Sequence, residues 1–134
     1  MNIENAYNFT LAGNSTFTVK SKTTGKTYTF KVKKHKEDDI WFVSYLYGPN
    51  NTTDYKYMGI IKNDSYYNTK GSKVDVNSIV NKTFIWVFNV LVNLRTDLFE
   101  KIDFHHEGKC GRCGRKLTNI ESLENGIGPK CISL

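Results

Sequence analysis

Ser15-Thr16-Phe17-Thr18-Val19-Lys20, then Thr23-Thr24-Gly25-Lys26, then Thr27-Tyr28-Thr29-Phe30-Lys31-Val32-Lys33-Lys34: this stretch decides the fold. Apolar and polar residues alternate in both arms, the pattern of strands with one buried face. Phe17 and Val19 share a face, opposite Thr16, Thr18 and Lys20. Tyr28, Phe30 and Val32 likewise oppose Thr29, Lys31 and Lys33. Gly25 offers the positive φ that a tight turn needs. The stretch predicts a β-hairpin.

Working outward, residues 1–12 read as an arm in which Tyr7, Phe9 and Leu11 alternate, predicting a short strand. On the other side, Ile40–Tyr47 is apolar on both faces and predicts a central strand. After the breakers Gly48-Pro49-Asn50-Asn51, Tyr55–Lys62 predicts a fourth strand and Ser65–Asn68 a short fifth. Val80, Phe84, Val87, Phe88, Leu91 and Leu94 then recur at spacings of three and four, which predicts a helix capped by Asp75 or Asn77. Its β-branched content lowers intrinsic helicity, so burial against the sheet must hold it. Lys101–His106 alternates again, with Ile102, Phe104 and His106 on one face. Thr118-Asn119-Ile120-Glu121 has the form of a capping box opening a short helix, which Asn125-Gly126 ends. The expected fold class is α+β: an antiparallel β meander or small barrel on one helix, with a C-terminal zinc-knuckle or treble-clef-like module. Residues 1–100 form the sheet and core helix, and residues 101–134 the zinc module.

The chain has 134 residues, ample for one core, and 19 basic against 13 acidic residues. That balance favours an anionic partner, although the Lys, Asn and Tyr enrichment also matches AT-rich coding. No apolar run approaches a membrane span, and Met1–Thr10 lacks the layout of a secretion signal. The expected location is the cytoplasm. Three cysteines in a reducing compartment point to metal rather than disulfides.

All three cysteines fall in Cys110-x2-Cys113-x17-Cys131. Paired thiolates with glycines at 111 and 114 are the spacing of a zinc knuckle. His106 is expected to complete a Cys3His set, because it shares a face with Ile102 and Phe104; His105 is the alternative. Thiolate-rich tetrahedral sites are closed and structural, so Zn2+ here is expected to be a staple rather than a catalyst. Lys109, Arg112, Arg115 and Lys130 surround the site and offset thiolate charge or contact phosphate.

The motif His106-Glu107-Gly108-Lys109-Cys110-Gly111-Arg112-Cys113-Gly114-Arg115-Lys116-Leu117-Thr118, with Glu121-Ser122 and Gly126-Ile127-Gly128-Pro129-x-Cys131, resembles a domain-of-unknown-function family of small zinc-motif proteins. Such proteins are common in bacteriophages, prophages and mobile elements. Longer members are similar at Phe17-Thr18-Val19, Thr24-Gly25-Lys26, Trp41-Phe42-Val43-Ser44, Gly48-Pro49 and Asp54-Tyr55-x-Tyr57-x-Gly59. The resemblance implies zinc on Cys110, Cys113, Cys131 and His106, and a viral or mobile-element origin with a bacterial host. It implies no activity.

Enzyme motifs fail on inspection. Thr24-Gly25-Lys26-Thr27 lacks the earlier glycine and the helix of a phosphate-binding loop. No serine or cysteine sits in a nucleophile context. A non-enzymatic role is expected. Seven lysines occupy residues 20–36, with no acid between Glu4 and Glu37. Aromatic residues interleave with them. A basic, aromatic sheet face is how single-strand binders stack bases and track phosphates, so DNA or RNA is the expected partner. The expected contacts are Lys20, Lys22, Lys31, Lys33, Lys34, Tyr28, Arg112 and Arg115. The alternative is an anti-defence protein that blocks a host immune complex by protein contact or sequesters a nucleotide signal.

Overall fold

The computed structural model describes residues 1–132. Its centre is a six-stranded antiparallel sheet, curled into a half-barrel, with strand order β5-β4-β3-β2-β1-β6. The strands are β1 Asn14–Ser21, β2 Thr27–Lys34, β3 Trp41–Leu46, β4 Tyr55–Lys62, β5 Ser65–Tyr67 and β6 Ile102–His106. β1 to β5 follow one another as a meander, and β6 returns to lie beside β1. The predicted hairpin forms, with Phe17 opposite Phe30 and Thr18 opposite Thr29. Gly25 sits in its turn at φ 73°.

The sheet has one buried and one open face. Phe17, Val19, Phe30, Val32 and Val43 face inward and are fully buried, or nearly so. A β-bulge at Val43/Ser44 leaves Met58 of β4 between the paired residues Tyr57 and Gly59, and Met58 joins the core. Helix α2, Ile79–Val92, covers this inner face. Phe84 lies 5.1 Å from the Phe30 ring and 4.8 Å from the Tyr66 ring, and stacks on Phe88 at 5.9 Å. Each such buried side chain contributes about 1.5–3 kcal/mol relative to exposure, which is what holds a helix of weak intrinsic propensity.

Three local expectations are corrected. The N-terminal arm is helix α1, Ile3–Thr10, not a strand. Asn2 caps it, its Oδ1 accepting from the Asn5 N–H at 2.8 Å. Its buried stripe is Ile3, Ala6, Phe9 and Thr10. Ala6 is small and Thr10 polar, so the alternating large residues masked a helical period. Helix α2 is capped by Ser78, whose Oγ accepts from the Asn81 N–H at 3.3 Å, rather than by Asp75 or Asn77. Leu94 lies beyond the helix, left-handed and half exposed, outside the core stripe.

After the one-turn helix α3, Thr96–Phe99, β6 pairs with β1. The expected division at residue 100 groups β6 with the zinc module; in the structure β6 is also a strand of the main sheet. Helices α4, Ile120–Asn125, and α5, Pro129–Ile132, follow. Asn119, not Thr118, caps α4: its Oδ1 accepts from the Ser122 N–H at 2.7 Å. Gly126 ends α4 at φ 74°, as expected. Among the described residues no helix is long and apolar enough to cross a membrane.

Candidate metal centre and open sheet face

The knuckle begins where β6 ends. Gly108 and Gly114 adopt positive φ, 74° and 79°, which turns the chain back on itself. Lys109 and Lys116 bridge across the turn, and the Cys110 N–H donates to the Arg115 carbonyl at 2.8 Å. The N–H groups of Arg112 and Cys113 aim at Cys110 Sγ, at 3.4 and 3.5 Å. Helix α5 supplies Cys131 from the far side.

The three sulfur atoms lie within 4.8 Å of one another. A tetrahedral site with metal–sulfur bonds of about 2.3 Å holds its sulfurs about 3.8 Å apart, so a small contraction suffices. Burial pushes the Cys110 thiol up, but the N–H groups of Gly128, Cys113 and Arg112 outweigh it and bring the group down to about 7. Cys131 moves the other way, to about 11, through its hydrogen bond to Cys113, then burial, then the neighbouring Cys110. One sulfur primed as a thiolate and another that resists a second nearby negative charge are what a cation between them would reconcile. Cys110, Cys113 and Cys131 therefore fit a metal ion, and would hold it as thiolate ligands.

His106 does not join them. Its Nδ1 accepts from the Gly108 N–H at 2.9 Å, which places the ring proton on Nε2, and Nε2–H donates to the Leu123 carbonyl at 2.6 Å. Both nitrogens are thus engaged in tying β6 to the knuckle turn and to α4. His106 does lie on the inner face, as its alternation predicted, but the ring rests against Phe9 at 5.4 Å. His105 lies on the opposite face of β6, opposite Thr18, and is exposed.

Phe9 is the residue the sequence reading missed. It is fully buried among Phe17, Phe104 and His106. Gly111 and Gly126 flatten against it: a Cβ on either would fall 2.6 Å or 2.5 Å from Phe9 Cδ2. The Gly111 N–H donates to the Gly126 carbonyl at 2.7 Å, and the Gly111 carbonyl accepts from the Asn14 N–H at 2.6 Å. The knuckle is therefore anchored to α1, β1 and α4 at once. The glycine spacing was a visible signal; the partner ring was not.

The expected nucleic-acid contacts do not gather on one surface. Lys20, Lys31 and Lys33 lie on the open face of β1 and β2. Tyr28 faces inward and stacks beside Phe30 at 6.4 Å. Lys34 also lies in the inward register, with Nζ 5.8 Å from the Trp41 ring and 3.6 Å from Asp39. Lys22 reaches Asp103 at 3.8 Å. Arg112 donates to the Cys131 carbonyl at 3.2 Å, and Arg115 lines the cavity beside the cysteines.

The open face has its own aromatic set. Lys33 pairs with Phe42, Phe42 with Ile60, and Ile60 with Tyr67 in one row across the sheet. None of these side chains belongs to the core cluster. Phe42 is 39% exposed, meets Tyr57 edge-on at 6.2 Å and has the His35 ring 5.8 Å away. Lys33, Lys34, His35 and Lys36 line a hollow beside Phe42, together with Glu37. Lys31 Nζ lies 4.9 Å over the Tyr55 ring. Burial, then the charge of Glu107, raises the Tyr55 hydroxyl above its ordinary value and keeps it a donor.

Comparison with curated proteins and with solved structures returned no match for this chain. Residues 103–133, the segment that carries all three cysteines, match DUF6011, a family of unknown function.

Proposed function

We propose that this chain is a non-enzymatic, zinc-stapled module that holds single-stranded nucleic acid on the open face of its sheet. The observation that carries the reading is Phe42: a large ring, exposed on a face that contributes nothing to the core, with Lys33 opposite it and His35 and Lys36 beside it. An exposed ring is a platform for a base, and the lysines supply sequence-independent attraction for phosphates. Zinc is the metal that a cysteine trio opened by Cys-x2-Cys selects. A phage or mobile-element setting, with a bacterial host, is consistent with the motif carried by the cysteines.

The test is a titration of the full chain against short labelled single- and double-stranded DNA and RNA at two salt concentrations. Single strands are expected to bind more tightly, with affinity falling steeply as salt rises. Phe42→Ala should weaken single-strand binding by about 1–3 kcal/mol. Absence of binding at low salt, or binding that ignores both Phe42→Ala and Lys33→Ala, overturns the reading; capture of a host protein complex would then favour the protein-contact alternative.

A further inference from the structure

Helix α2 carries more apolar surface than its core stripe uses. Val80, Phe84, Val87, Phe88 and Leu91 are buried, whereas Ile79 and Trp86 remain 61% and 37% exposed. Ile79, Lys82, Thr83 and Trp86 recur at helical spacing, so they form a second stripe alongside the first. This stripe borders an open-mouthed cavity of about 470 Å³, lined also by the end of the β1–β2 hairpin and the start of β6. The hairpin is fastened there by the Lys22 N–H, which donates to the Lys101 carbonyl at 3.0 Å.

The chemistry of the lining is specific. Val19, Tyr28, Trp86 and Ile102 give it an apolar body with two aromatic rings. Thr23, Thr24 and Thr83 add hydroxyl groups. Lys26, Lys82 and Lys101 all line it, no acid does, and none of the three forms an ion pair among the described residues. The volume falls within the range typical of small-molecule sites. An apolar, aromatic cavity with three cations and no counter-charge complements an anion attached to a flat ring system. Hydroxyl groups around the rings suit a polar sugar better than an acyl chain.

We propose that this cavity binds a nucleoside phosphate, its base against Tyr28 and Trp86 and its phosphate held by Lys26, Lys82 and Lys101. The site lies on the inner side of β1 and β2, away from the open face, so it stands or falls independently of nucleic-acid binding there.

Calorimetric titration of the full chain with adenosine and guanosine monophosphates, inorganic phosphate and dodecanoate tests it. Saturable binding of a nucleoside phosphate is expected, weakened roughly tenfold by Lys82→Ala or Lys101→Ala, each the loss of one charge-assisted hydrogen bond. Both lysines are exposed, so these variants keep the fold. Trp86→Ala should weaken the nucleotide while leaving inorganic phosphate unchanged, and Phe42→Ala should change neither. No binding up to about 1 mM nucleotide overturns the proposal. So does phosphate or dodecanoate binding as tightly as the nucleotide, or binding that the lysine variants leave intact.

Discussion

His106 separates two roles that one sequence motif cannot distinguish. A histidine four residues before Cys110 invites reading as a ligand, and its strand face is the inward one. Yet its nitrogens are already committed to Gly108 and Leu123, and its ring fills space against Phe9. This assigns it to positioning. His106→Ala should therefore keep one metal ion per chain while costing about 1–3 kcal/mol, the net worth of two ordinary hydrogen bonds at about 0.5–1.5 kcal/mol each. Cys110→Ser should lose the ion and lower Tm by roughly 10 °C or more, since structural metal sites contribute folding energy directly. Elemental analysis and thermal melts of the two variants decide the matter; metal lost from His106→Ala would make it a ligand after all.

At the scale of elements, helix α1 is held at two points along its second half. Phe9 meets the knuckle, and Tyr7 donates its hydroxyl to Asp64 Oδ1 in the turn between β4 and β5. Burial first, then the hydrogen bond and charge of Asp64, raise Tyr7 from its ordinary 10 to about 12. The folded state thus keeps a proton that the unfolded chain has lost. The resulting stabilisation is fully present below pH 10 and is lost as pH rises through about 12. Denaturant melts of the wild type and Tyr7→Phe from pH 8 to pH 11.5 should converge at the alkaline end; curves that stay parallel would refute the linkage. The strands of the meander were legible because each presents one apolar and one polar face over several residues. Helix α1 was not, because its buried stripe uses the small Ala6 and the polar Thr10, while Tyr7, Phe9 and Leu11 alternate beside them. Ser78 escaped notice as a cap because Asp75 and Asn77, just upstream, are equally good capping types.

For the whole molecule, the metal segment is not an appendage. β6 completes the sheet beside β1, and the knuckle that follows closes over α1. Removing the metal with a chelator should therefore raise amide exchange first in α1 and residues 110–126, while the β2–β4 hairpins stay protected. Uniform exchange across the chain would show that the metal supports the entire fold instead. The cysteine cluster was readable from spacing alone, since Cys-x2-Cys needs only local geometry. The open face was only half readable. Alternation put Lys31 and Lys33 on one side and Tyr28 on the other, but only the register shows Phe42 opposite Lys33.

The return of β6 to β1 has a consequence in time. Val19 and its neighbour Phe104 are far apart along the chain, and α1 has no complete seat until Gly111 and Gly126 exist to receive Phe9. During synthesis the β2–β4 hairpins can form as they emerge, while β1 waits with an unpaired edge and Phe9 without its cover. Such long-range closure makes folding slow and leaves that edge open to other chains in the interval. The ribosome releases the knuckle only after every strand of the sheet, so the act that ends this vulnerability waits until all six strands have been made.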